Sequence, residues 1–491
     1  MSKINSRFIA VVAALAVLVS SAFTNFKSVA QQVQQRPAIS SRAAREAAIV
    51  AATAEVLEET SKIRELPILQ PVKSGAQSRQ QIENMLVKNL YEQMTVAEMH
   101  ATEVAYRKFG LAAANFEYRP FIIRLLLEQI AGYYDPMARE FYLADWLELE
   151  TQKPVMAHEL THALQDQHFN LRRFQKWPHG DSDAQLAAHA LIEGDATLSM
   201  MVYMAKNPLV ALAFTRSLNT GVSTEQFNQA PRALRESLIF PYLQGSEWAT
   251  GVYKKEGFAG LSKAFTKLPL STEQILHAEK YFAYEQPLKI TLPDLSNLLN
   301  KAVAQAALND RSLILSHHSV LSSQSATFNI NGPRLLTADS SAPASSWRRI
   351  DSDVNGEWGY YLLLDQFLNS PPESRRAAAG WAGDRYDVYE GPESGQALIA
   401  QISAWDTAAD AREFFDAYVK RTQLRYPNAQ RLDLVGSQSD NRQPTPNTQN
   451  FYSWQTNEGL VVMELRGLRV TIIEGIPPLL KANDLLRVLA S

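Results

Sequence analysis

The chain has 491 residues, 46% hydrophobic and 20% charged, with Lys+Arg 48 against Asp+Glu 51 and a formal net charge of −3. That length exceeds the roughly 250–300 residues at which a single core stops growing, so two or more domains are expected. The near-neutral balance supplies no field for DNA, RNA or anionic lipid. The chain has no cysteine, which excludes disulfides, a thiol nucleophile and Cys-ligated zinc; a metal would have to sit on His, Asp and Glu.

In chain order, Lys3 and Arg7 precede the apolar run Phe8–Val19, and Ser28-Val29-Ala30 follows. This is the layout of a secretory signal peptide over residues 1–30, cut after Ala30, with a short uncleaved anchor as the alternative. The mature chain is expected to be exported, periplasmic or extracellular, with no membrane span. Residues 31–77 are rich in Gln, Ala and Arg, with a helix over Ala43–Ile63. They read as a pro-segment, a docking helix or a linker.

A first domain is expected over residues 78–315. Helical patterns cover Gln80–Tyr106 and Arg119–Ile130, and two aromatic runs around Asp135-Pro136 predict a β-hairpin over residues 132–143. Helices follow at Val155–Leu171, Asp183–Lys206 and Leu209–Leu218. Residues 316–347 read as a Ser-rich connector. Residues 348–491 predict a smaller α+β domain, with strands at Arg385–Tyr389, Ala397–Trp405, Phe451–Gln455, Leu460–Leu465 and Leu468–Ile473. Its helices run from the Thr407 cap to about Arg425 and over Pro478–Leu489. Trp381, Trp405 and Trp454 are expected in its core.

The segment that carries chemistry is Val155-Met156-Ala157-His158-Glu159-Leu160-Thr161-His162-Ala163-Leu164. At about 100° per residue, His158 and His162 share one helix face a turn apart, and two imidazoles so spaced can close on one Zn²⁺. Glu159 follows the first ligand directly, so its carboxylate reaches a water on the metal, whose pKa zinc lowers to about 7, and can take its proton. The ten residues Val155–Leu164 include no proline, and Pro154 is placed to open the helix. Five of the nine histidines, at 158, 162, 168, 179 and 189, crowd into this stretch.

A catalytic zinc usually takes three protein ligands and keeps one position open. The best-placed third ligand is Glu193, a carboxylate on an otherwise apolar helix, where a buried charge needs a partner. Asp181, Asp183, His179 and His189 are the alternatives. His189 and Thr197 lie a turn either side of Glu193 and face the same way. Asp195, about 200° round the helix from Glu193, is expected to orient a neighbouring helix. Asp166 reads either as a supporting or capping group or as a solvated carboxylate.

The run His-Glu-Leu-Thr-His-Ala-Leu-Gln-Asp over residues 158–166 resembles the active-site helix of thermolysin-type gluzincins. The resemblance implies a zincin core with zinc on His158, His162 and Glu193, Glu159 as general base, and a sheet edge strand over the cleft. The chain departs from that pattern in a longer His-to-Glu spacing and in Thr197, where an aspartate is expected. Together with residues 132–136, 193–196 and 271–277, the motif also resembles a poorly characterised bacterial metallopeptidase-like group over roughly residues 80–285. By the same resemblance His277, or Tyr281 a turn later, is a candidate to stabilise the oxyanion; a helix capped by Ser271 or Thr272 and carrying a structural His is the other reading of His277. The hairpin is a candidate strand for pairing with an extended substrate.

The expected function is that of an exported zinc metallopeptidase acting on peptide or protein substrates. A latent or non-catalytic zincin-fold binding protein of the cell envelope, and a zinc hydrolase of non-peptide amides, are the alternatives.

Overall fold

The computed structural model describes residues 42–129, 131–176, 180–221, 225–305, 346–432, 450–478 and 480–490. The expected signal segment, all but the last two residues of the expected connector, and His179 lie outside them. The architecture is mixed α and β. Two compact units form, one from the residues up to Leu288 with Asp353–Trp381, the other from those of Lys289–Ser352 and Ala382–Ser491.

The first unit is mostly helical. It runs α1 (Arg42–Arg64), β1 (Lys73–Gln77), α2 (Arg79–Gln93), α3 (Val96–Lys108), α4 (Tyr118–Gln129), β2 (Gly132–Asp135), β3 (Glu140–Ala144) and α5 (Leu149–Phe169). Then come α6 (Ser182–Lys206), α7 (Pro208–Gly221), α8 (Glu225–Gln229), α9 (Arg232–Ala264), α10 (Thr272–Leu276) and α11 (Ala278–Ala283). Starts are written locally: Ser78 with Gln81 and Thr95 with Glu98 form reciprocal capping boxes at α2 and α3. The expected hairpin forms, its turn held by Asp135 Oδ1, which accepts from the Met137 and Ala138 N–H groups at 2.7 and 3.2 Å. β3 is the middle strand of the order β1-β3-β2, parallel to β1 and antiparallel to β2.

Two later helices, α12 (Gly356–Leu368) and α13 (Pro371–Ala378), also belong to this unit. Asp353 receives the Ser182 N–H and hydroxyl at the start of α6, and Phe240 of α9 packs its ring on Trp358 at 4.7 Å. The compact units therefore do not follow the division expected at 315 and 348. Contacts between residues more than 80 positions apart decide where 353–381 goes, and no turn residue or composition shift announces them.

The second unit carries a seven-stranded sheet, ordered β4-β5-β6-β10-β9-β8-β7. Its strands are β4 (Arg348–Asp353), β5 (Trp381–Glu390), β6 (Ala397–Trp405), β7 (Gln430–Arg431), β8 (Phe451–Thr456), β9 (Gly459–Arg466) and β10 (Arg469–Ile476), with helices α14 (Ala408–Arg425) and α15 (Ala482–Leu489). The capping box of Thr407 and Asp410 starts α14. All nine residues of β6 are buried. Leu398, Ala400 and Ile402 meet Leu295, Leu299 and Leu485 in one core cluster. Trp381, Trp405 and Trp454 are buried. Among the described residues no single helix is long and apolar enough to cross a membrane.

Candidate metal centre

The helix α5 is the floor of the site. It begins at Leu149, so Pro154 is its sixth residue rather than its first. There the ring deletes the hydrogen bond to the Glu150 carbonyl. Burial offsets that loss, because every residue from Pro154 to Asp166 is buried. A helix buried all round has no solvated face, so each polar side chain on it needs a partner inside the protein. The helix stops at Asn170, whose φ of 54° is tolerated by an asparagine.

The partners come from α6 and α9. Helix α6 is capped by Asp181, which accepts the Ala184 N–H at 3.0 Å, and it brings Glu193 over α5. His158 Nε2 lies 3.1 Å from Glu193 Oε2, His162 Nε2 lies 3.3 Å from the same oxygen, and the two ring nitrogens are 3.1 Å apart. Three ligands at about 2.0–2.1 Å around a tetrahedral metal stand about 3.3–3.4 Å from one another. The three atoms are thus spaced as one tetrahedral face, and these residues could hold a metal ion. Charge agrees with geometry. Burial alone would favour neutral Glu193, but His162 and His158 hold its carboxyl at about 2; burial alone would also lower His162, but Glu193 lifts it to about 9. In the metal-free triad a proton on His162 answers the Glu193 charge, and a bound cation would take the place of that proton.

Glu159 is outside the ligand set and beside it. Its Oε2 accepts the Tyr134 N–H of β2 at 2.9 Å, and burial pushes its carboxyl up to about 7 against the opposing charge of His162. The Tyr134 hydroxyl donates to Asp166 Oδ2 at 3.1 Å, and Asp166 Oδ1 accepts the Leu171 N–H at 2.9 Å. Asp166 therefore closes the end of α5 and clamps the hairpin to it. In that hairpin β3 is paired on both sides, which leaves β2 as the edge strand.

Tyr242 of α9 was not singled out by the sequence. Its ring stacks on His158 at 6.1 Å and its hydroxyl is hydrogen-bonded to Glu193. Burial and the carboxylates of Glu193 and Glu159 raise its pKa well above the usual tyrosine value, so it stays a neutral donor. The close crossing of α6 and α9 brings it there. A Cβ on Gly194 would strike the Gly245 backbone, and one on Gly245 the Ala190 carbonyl. Only hydrogen fits at those two points.

The other candidates are engaged in different work. Asp181 caps α6, and Asp183 accepts the Thr272 N–H and hydroxyl at the start of α10. His189 and Thr197 are buried on α6 and do not belong to the triad. Asp195 meets a neighbouring helix, as its angle on α6 suggests: its Oδ1 is 2.6 Å from Arg64 Nε of α1. His277 follows α10, which Ser271 caps, and pairs with Glu357 at 2.9 Å, a contact that raises its pKa. The Tyr281 hydroxyl donates to the Lys267 carbonyl at 3.0 Å.

Residues 345–485 match a family described as a domain of unknown function, DUF8575. No curated protein and no solved structure matches the chain.

Proposed function

We propose that the chain is an exported zinc metallopeptidase of the gluzincin type, with a zincin-like first unit. The observation that carries this reading is the convergence of three ligand atoms 3.1–3.3 Å apart, with a second carboxylate, Glu159, beside them and outside their set. His158, His162 and Glu193 would hold zinc, which when bound supplies Lewis acidity and a water acidified to about 7.

The chain's own groups do the rest. Glu159, lifted by burial into the range of a working base, takes a proton on the oxygen that Tyr134 leaves free and passes it to the leaving amine. The Tyr134 N–H fixes the direction of that carboxylate. Tyr242, a neutral phenol stacked on His158, would donate to a developing oxyanion by releasing its hydrogen bond to Glu193, whereas His277 is paired with Glu357 away from the triad. The edge strand β2, whose Tyr134 N–H is held by Glu159, is the strand nearest the triad with which an extended peptide would pair.

One observation favours the second reading, a latent or non-catalytic binding protein on the same fold. His158, Glu159, His162 and Glu193 are at most 9% exposed, so the groups are enclosed as they stand. The deciding experiment uses residues 31–491, with zinc per chain measured together with chelator-sensitive cleavage of unfolded casein. The expected result is one zinc and cleavage for the wild type, one zinc and a loss of at least ~10²–10⁴-fold in cleavage for Glu159→Gln, and no retained zinc for Glu193→Ala. Zinc without cleavage in the wild type would support the second reading.

A further inference from the structure

We propose that the N-terminal segment is a working part of the metal centre, with Arg64, the last residue of α1, positioning the His162 ring through Asp195 and Gln165. This rests on the metal reading above and concerns the ligand's support, not the reaction.

The line of contacts starts at the ring. His162 Nε2 faces Glu193 and His158, while His162 Nδ1 lies 2.8 Å from Gln165 Oε1. The other end of that amide is spent on α6: Gln165 Nε2 donates to Asp195 Oδ2 at 2.8 Å and to the Ile192 carbonyl at 3.1 Å. Turning the amide over would set its oxygen against two acceptors, so chemistry fixes its direction. An amide oxygen only accepts. His162 Nδ1 must therefore carry the hydrogen, and the lone pair of Nε2 is left for the metal.

Asp195 can hold the amide because its own charge is met. Arg64 Nε lies 2.6 Å from Asp195 Oδ1, and both side chains are 0% exposed. Arg64 is seated in turn by α9, with Nη1 3.1 Å from Ser262 Oγ and its guanidinium over the Phe258 ring at 5.1 Å. Without Arg64 the Asp195 carboxylate would stand buried and unpaired, and its hold on the Gln165 amide would loosen as it turned to other donors. His158 has no such support: its Nδ1 has no hydrogen-bond partner among the described residues. Orientation of the ligand pair therefore leans on His162.

The consequence bears on the segment 31–77. Helix α1 packs on α5 and α6, and β1 pairs with β3 over five residues. Excising this segment would strip the support of a ligand; it would disable the site, not unmask it.

The test measures zinc affinity of residues 31–491 by competition with a chromophoric chelator at one pH, alongside circular dichroism and thermal unfolding of the metal-free chain. Gln165→Ala and Arg64→Gln are each expected to weaken zinc binding about 10–100-fold. In the Gln165→Ala background, Arg64→Gln should cost nothing further, because both act through one line. Arg64→Gln with Asp195→Asn removes both charges together, keeps an acceptor for the amide, and should regain most of the affinity; it carries the test if Arg64→Gln alone does not fold. Wild-type affinity in Gln165→Ala, or independent losses that multiply in the double variant, would overturn the relay. Zinc bound without peptidase activity leaves it standing, whereas a wild type that binds no zinc overturns both the relay and the metal reading.

Discussion

Tyr242 brings a neutral hydroxyl to the one carboxylate of the triad, and its value lies in staying neutral. An ionised phenol there would repel Glu193 and Glu159, and both charges act with burial to keep the proton on. A phenylalanine keeps the ring that stacks on His158 and removes only the donor. Tyr242→Phe should therefore retain zinc within a few-fold while lowering kcat by about 10²-fold, the usual cost of one oxyanion donor. Equal losses in zinc affinity and turnover would instead limit the hydroxyl to holding Glu193. Glu159 shows the same economy at residue scale: one oxygen is tied to a strand N–H and the other is left to work.

Among the elements, the crossing of α6 and α9 decides whether the site exists. Gly194 faces the Gly245 backbone and Gly245 faces the Ala190 backbone, and their missing side chains let two helices approach closely enough for Tyr242 to reach Glu193. An alanine at either position meets backbone atoms that cannot move aside. Gly245→Ala should cost about 3 kcal/mol in urea unfolding of the chain, the upper end of ordinary overpacking, and should weaken zinc binding as the helices part. The exposed Gly395 and Gly467, with open space where a Cβ would go, serve as controls for strain alone. The hairpin works at the same scale, since its Tyr134 is fastened to α5 by a backbone bond to Glu159 and a hydroxyl bond to Asp166.

Over the whole chain, the first unit is assembled from two stretches of sequence. Asp353, Glu357, Trp358 and Asp365 are buried groups supplied from beyond the expected connector, and they meet Ser182, His277, Phe240 and Arg232. A protein cut at the expected boundary, residues 31–315, would leave those partners facing water or unpaired. It should unfold without a cooperative transition and elute as aggregate in size exclusion, whereas residues 31–491 should be cooperative. A soluble, cooperative 31–315 would show that residues 353–381 are dispensable to the first unit.

Local patterns were enough for much of this. The capped starts at Thr407 and Ser271, the Asp-Pro hairpin, five of the seven strands of the second unit and the pairing of His158 with His162 all depend on neighbours within a few residues, so the sequence alone determined them. Glu193 was legible as well, because a carboxylate in the apolar middle of a helix must be answered by something. The start of α5 was not. Its Pro154 obeys a local rule that the burial of a whole helix overrides. Arg64, Tyr242 and the direction of Gln165 were not legible either: each takes its meaning from a partner 30 to 150 positions away. Such contacts leave no period in the sequence, and only the packing of α1, α6 and α9 around α5 decided them.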